Sequence, residues 1–165
     1  MISEPKTEYR KEQYFVAITL TVRQKEIPDL LPSLIPEIFN WLRMKKLKPA
    51  GAPFFKYSEM EGEKMKVEVG IPVDKPVKGD ERIHQGAFPS GTYIEVTYTG
   101  PYSNLPNVHS ELARWKEKND IRTIGGVTEF YFTDPASQPD AEKWITIIIN
   151  QLDENQDYRN GNVDK

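Results

Sequence analysis

The stretch Gly126-Val-Thr-Glu-Phe-Tyr-Phe-Thr-Asp-Pro135 reads as a short strand closed by Asp134-Pro135. Its β-branched and aromatic residues favour extended backbone, and glycine and proline punctuate its ends. Strand side chains alternate between faces. Thr128, Phe130 and Phe132 therefore share one face, and Val127, Glu129, Tyr131 and Thr133 share the other. Glu129 is the residue out of place. Either its face is wet, or that face lines a pocket in which Glu129 is the charge. Taken alone, the pattern favours the wet face.

The same pattern occurs earlier in the chain. Trp41 and Trp115 stand 74 positions apart (41 to 115), and at this offset Leu47 matches Ile121, Gly51 matches Gly125, Phe55 matches Glu129 and Tyr57 matches Tyr131, with no gap. An internal repeat of this kind means two like supersecondary units. Periodicity supplies their parts. Strands are expected over Tyr14–Val22, where Val16, Ile18, Leu20 and Val22 alternate, then over Phe54–Met60, Met65–Val73, Thr92–Thr99 and Trp144–Leu152. The continuous Ile147-Ile148-Ile149 implies that both faces of the last strand are covered. Leu34, Ile35, Ile38, Trp41 and Leu42 recur at helical spacing, in a helix regular from about Pro32 with a bend near Pro36. Leu105, Val108, Leu112 and Trp115 form the stripe of a second helix, with Ser103 or Asn104 as cap and Pro106 in its first turn.

The expected fold is thus α+β, a tandem β-α-β-β repeat with pseudo-two-fold symmetry. It has antiparallel-rich sheets, two main helices on one side and a ligand cleft at the seam. The single domain spans 13–152. Its first unit covers about 13–74 and its second about 90–152, with a linker strand over 80–87. Residues 1–12 read as a polar arm and 153–165 as a disordered tail. Phe130 and Phe132 are assigned to the helix-side core, which leaves Lys56, the repeat mate of Phe130, awkwardly placed. Tyr57 and Tyr131 become counterparts across the seam. Glu129 has an apolar counterpart in Phe55, so one half carries a charge that the other lacks.

Composition bounds the function. The chain has 165 residues, is 38% hydrophobic and 28% charged, and carries a net charge of −3. A mild acidic balance disfavours non-specific nucleic-acid binding. Without cysteine there is no disulfide framework and no thiolate chemistry. No apolar run is long enough to span a bilayer, and the N-terminus has no signal core, so the cytoplasm is the expected compartment. No phosphate loop, nucleophile elbow or zinc motif occurs, and no cofactor or metal is expected.

Several pieces of the chain together resemble one family. They are Trp41 with Gly51-Ala-Pro-Phe-Phe-Lys-Tyr57; Met65-Lys-Val-Glu-Val-Gly-Ile-Pro-Val73; Gly91-Thr-Tyr93 leading to Tyr98-Thr-Gly-Pro-Tyr102; and Glu129-Phe-Tyr131 with Thr133-Asp-Pro135. Their order and spacing resemble the GyrI-like effector-binding domain, also found as the drug-sensing part of some AraC-type and MerR-type regulators. The resemblance covers about Tyr14 to Leu152. It departs at Ile149-Asn-Gln-Leu152, where an apolar-proline ending is expected. Twelve residues before the first strand are too few for a helix-turn-helix, so the expectation is a stand-alone member that does not contact nucleic acid directly.

The resemblance implies a small-molecule pocket for aromatic, often cationic, ligands. It places the acid of the Glu-x-Tyr motif, Glu129, in that pocket, with Tyr131, Tyr57, Phe55 and Tyr93 as aromatic walls. It also implies an alternative, hydrolysis of reactive cyclopropane-bearing compounds, with Glu129, Tyr131 and Tyr93 as the catalytic candidates. A third reading is a protein-interaction module that inhibits a partner enzyme. His84 and His109 lack metal-ligand spacing and read as solvated or structural, and Glu95, on the face of Tyr93, reads as a solvated acid.

Overall fold

The computed structural model describes residues 1–154. The expected tail disorder lies, from residue 155 on, outside the described residues. Strands β1 (Lys6–Arg10), β2 (Gln13–Arg23), β3 (Phe54–Glu61), β4 (Lys64–Val73), β5 (His84–Phe88), β6 (Gly91–Thr99), β7 (Thr123–Tyr131) and β8 (Ile145–Leu152) form one antiparallel sheet. Helices α1 (Ile27–Leu30), α2 (Leu34–Met44) and α3 (Leu105–Lys118) complete the main elements.

The sheet order β1-β6-β8-β7-β3-β4-β2-β5 displays the repeat. Unit β2-α2-β3-β4 contributes the run β3-β4-β2, and unit β6-α3-β7-β8 contributes β7-β8-β6. The order is mirrored about the β7–β3 junction, with β1 flanking one unit and β5 the other. The two units join edge to edge through backbone hydrogen bonds between β3 and β7, not face to face.

Alternation fixes which side chains meet the helices. On one face Val16, Ile18, Val67, Val69 and Ile71 pack under Leu34, Ile38 and Leu42 of α2. Ile94, Val96, Tyr98 and Ile148 pack under Leu105, Val108 and Leu112 of α3. Each fully buried aliphatic side chain contributes about 1.5–3 kcal/mol. The opposite face holds a separate aromatic core of Phe15, Phe54, Phe88, Tyr93 and Phe130, with Ile149. Phe15, Phe54 and Phe88 meet edge-on or tilted, with ring centroids 4.9–5.0 Å apart. Ile148 and Ile149 thus lie in different cores, and both faces of β8 are covered.

This arrangement corrects the assignment of faces. Phe130 belongs to the core away from the helices, and Phe132 lies beyond the end of β7 and is 55% exposed. The helices cover the face of Phe55, Tyr57, Glu129 and Tyr131. Alternation separated the two sets of residues correctly but carries no information about which set the helices cover. Lys56 shares the non-helix face, half-buried, with its ammonium 5.6 Å from the Phe88 ring centre and 3.8 Å from Glu68. The conflict expected at Lys56 therefore disappears.

Two further expectations change. Residues 1–12 are not a free arm: β1 pairs with β6 over Lys6–Glu95 through Arg10–Gly91. Its polar side chains hid the strand, because an edge strand is held mainly by backbone hydrogen bonds. The first helix breaks at residues 31–33, not at Pro36. Pro32 lacks the N–H that would continue α1, whereas Pro36 falls in the first turn of α2, where no intrahelical bond is lost.

Candidate functional site

The site is built where the two units join. In the register between β3 and β7, Phe55 faces Glu129 and Tyr57 faces Val127. The amide of Tyr131 donates to Pro53 O at 2.9 Å, which extends the ladder by one step. Cross-strand partners point to the same face, so Phe55, Tyr57, Glu129 and Tyr131 converge beneath α2 and α3.

Glu129 is 3% exposed, and its carboxylate is fully engaged. Oε1 accepts hydrogen bonds from Tyr57 Oη at 3.1 Å and from Tyr131 Oη. Oε2 meets His109 Nε2, from α3, at 2.5 Å. The carboxylate is an acceptor, so the proton of this contact lies on the imidazole nitrogen. Three charge-assisted hydrogen bonds, each about 1.5–3 kcal/mol, offset the loss of water around a buried carboxylate.

Aromatic rings enclose the group. Phe55 meets Tyr131 edge-on at 5.0 Å between centroids, and Tyr57 meets His109 edge-on at 6.5 Å. Tyr102 packs on Tyr131 at 5.3 Å and on Trp144 at 4.6 Å, and its hydroxyl donates to Thr133 O at 3.2 Å. Burial first, and then the negative charge of Glu129, push the phenols of Tyr57 and Tyr131 far above the ordinary tyrosine range. Tyr102 is raised by burial and by Asp134 and Glu129. All three stay neutral hydroxyls across physiological pH.

Of the residues expected at the site, Glu129, Tyr131, Tyr57 and Phe55 come together. Tyr93 does not. It lies in the aromatic core on the other face of the sheet, and its hydroxyl donates to Pro89 O at 2.7 Å. Glu95 also lies away from Glu129. It is buried, not solvated, and is held by Arg10 at 2.6 Å and Lys6 at 3.5 Å, both from β1. His109, expected to be structural or solvated, touches the carboxylate. Its signal was position: it lies four residues after Leu105 and three before Leu112, at the edge of the buried stripe of α3.

On the opposite face a cavity of about 420 Å³ is lined by Arg10, Gln13, Gly51, Pro72, Phe88, Phe130 and Phe132, among others. Its guanidinium is already engaged by Glu95, and it does not reach Glu129. Among the described residues no group of three or more His, Cys, Asp or Glu side chains is placed to hold a metal ion, and no helix is long and apolar enough to cross a membrane.

The duplicated β-α-β-β sheet thus carries a buried acid among aromatics at its seam. The family pattern described as the GyrI-like small molecule binding domain matches residues 3–151, and the chain belongs to that family. Solved structures share the fold. The EcmrR C-terminal domain aligns with a TM-score of 0.73 at 21% identity, covering 91% of this chain and 97% of that one. In the EcmrR–DNA complex the TM-score is 0.75 at 24% identity, over 90% of this chain; the chain spans 57% of EcmrR's length there. SAV2435 bound to tetraphenylphosphonium aligns at 0.68 and 12% identity, covering 99% and 100% of the two chains. A hydrolase from Listeria innocua aligns at 0.55 and 15% identity, covering 90% and 91%. A comparison with curated proteins finds no match.

Proposed function

We propose that this chain binds a small aromatic cation beneath α2 and α3, with Glu129 as the charged anchor, and so senses or sequesters it. The observation that carries this reading is a single buried carboxylate on the symmetry seam, ringed by Phe55, Tyr57, Tyr102 and Tyr131. Such an acid selects charge. The ring faces add cation–π attraction of roughly 0.5–2 kcal/mol each, and their area supplies most of the affinity. A ligand reaches Glu129 by parting the side chains over it, of which His109 is partly exposed. The bound tetraphenylphosphonium of SAV2435 supports the ligand class. Titration calorimetry with tetraphenylphosphonium tests the reading: saturable binding at one site supports it, and absence of heat and of any thermal stabilisation contradicts it.

A second reading, hydrolysis of a strained electrophile, draws on the contact between Glu129 and His109. A carboxylate and an imidazole in contact can relay a proton to and from an attacking water. Tyr93 has no part in it, so Glu129 with Tyr131 or His109 would carry the chemistry. Turnover of a cyclopropane-bearing electrophile by the native chain but not by Glu129→Gln separates catalysis from binding.

A further inference from the structure

We propose that His109 is the built-in counter-cation of Glu129, and that a cationic ligand binds by taking its place and releasing its proton. This rests on the binding role proposed for Glu129. Three observations carry it.

The two oxygens of Glu129 are treated differently. Oε1 is held by two phenol hydroxyls, which are neutral, whereas Oε2 meets an imidazole nitrogen at 2.5 Å. The second observation is exposure: the His109 side chain is 28% exposed and that of Glu129 is 4%. The imidazole therefore forms the outer cover of the carboxylate and can swing towards solvent without unpacking either core. The third is support. His109 meets the Tyr57 ring edge-on and makes no other side-chain hydrogen bond among those described, so little besides Glu129 fixes it. Among the described residues, the titratable groups facing it are Glu129 and Tyr131 from β7 and Tyr57 from β3, with Tyr102 and then Asp134 behind Tyr131. Of these groups, the imidazole is the one that can bring a positive charge to the carboxylate.

The consequence is selectivity. A ligand cation that displaces an imidazolium exchanges one ion pair for another. A neutral ligand that does the same leaves a buried charge unpaired, which is costly. His109 thus acts as a threshold that only a cation of suitable shape passes. The exchange is linked to pH because the counter-charge is a proton carried by the imidazole. Protonated His109 competes with the ligand, so affinity is lower in acid and rises as pH increases.

The test uses the full chain and tetraphenylphosphonium, whose charge does not titrate. Affinity is measured by calorimetry between about pH 5 and 8 in buffers of different ionisation enthalpy. The expected result is an affinity that rises by up to about tenfold per pH unit, the limit for one linked proton, with up to one proton released on binding. In His109→Gln the slope vanishes and binding at the acid end becomes tighter than in the native chain. The proton count needs no variant, so it stands even if His109→Gln folds poorly. A flat affinity with no proton release overturns the inference and leaves the binding role intact. A slope that survives in His109→Gln assigns the proton to Glu129 and also overturns it. No binding at any pH overturns the binding role and the inference together.

Discussion

Phe55 and Glu129 stand directly opposite each other between β3 and β7, and each is the repeat counterpart of the other. Applying the 74-residue offset to this pair returns the same pair. The pseudo-two-fold therefore passes through it, and the charge of Glu129, unmatched by Phe55, lies on the axis. The symmetric positions on either side, Tyr57 and Tyr131, both donate to that charge. A duplicated scaffold thereby holds one carboxylate between two equivalent donors.

The seam tolerates no extra atom at Gly126. A Cβ there would lie 2.1 Å from Tyr57 O and 2.8 Å from its carbonyl carbon. The glycine sits where β7 shifts register between Ile124 and Val127. Gly126→Ala should push β7 from β3 and cost about 1–3 kcal/mol by overpacking. Denaturant unfolding measures this, and an unchanged midpoint would contradict the close approach.

Strand β1 should contribute to stability through Arg10. Arg10→Met keeps much of the stem but leaves Glu95 with Lys6 alone, at 3.5 Å. Breaking a fully buried pair costs about 3–5 kcal/mol. Arg10 is a third exposed, so a loss of about 1–3 kcal/mol is expected after allowing for solvent. Adding Glu95→Gln should recover part of the loss, because the unpaired charge is then gone. A double-mutant cycle that finds the two changes additive would contradict the pairing.

Alkaline pH should destabilise the fold through Tyr57 and Tyr131. Both folded phenols are raised, by burial first and by Glu129 next. In the unfolded chain they ionise near pH 10, the ordinary value. Their contribution is therefore full below about pH 10 and is lost as pH climbs from there towards the folded values. Lys116, lowered by burial, acts in the opposite sense below its ordinary value of 10.5. The double variant Tyr57→Phe/Tyr131→Phe should lose less stability between pH 10 and 11 than the native chain. Equal losses would mean that these phenols do not titrate apart from the rest.

Much of this was legible in the residues. The 74-residue offset gave the duplicated fold, because Trp41, Gly51 and Tyr57 match Trp115, Gly125 and Tyr131 without a gap. Alternation grouped Glu129 with Tyr131. It did not show which face the helices take, since Phe54 and Phe130 make an aromatic core as apolar as the helix-covered face. Strand β1 was hidden because Lys6–Arg10 has no apolar alternation and is held by pairing with β6. His109 was hidden because one polar residue at the rim of a helical stripe looks the same whether it meets water or an acid 20 positions away.

Under the proposed binding role, the charge of Glu129, not the shape around it, selects the ligand. Glu129→Gln keeps size and an oxygen for the tyrosine hydroxyls but removes the charge. Its fold should weaken by about 1–3 kcal/mol, because Tyr57, Tyr131 and His109 lose a charged acceptor. Titration calorimetry of matched cationic and neutral aromatic ligands against both proteins is the most direct measurement. The cation should bind the variant more weakly by roughly 1–3 kcal/mol, while the neutral analogue loses little. Equal losses for the two ligands, or none for the cation, would contradict the account.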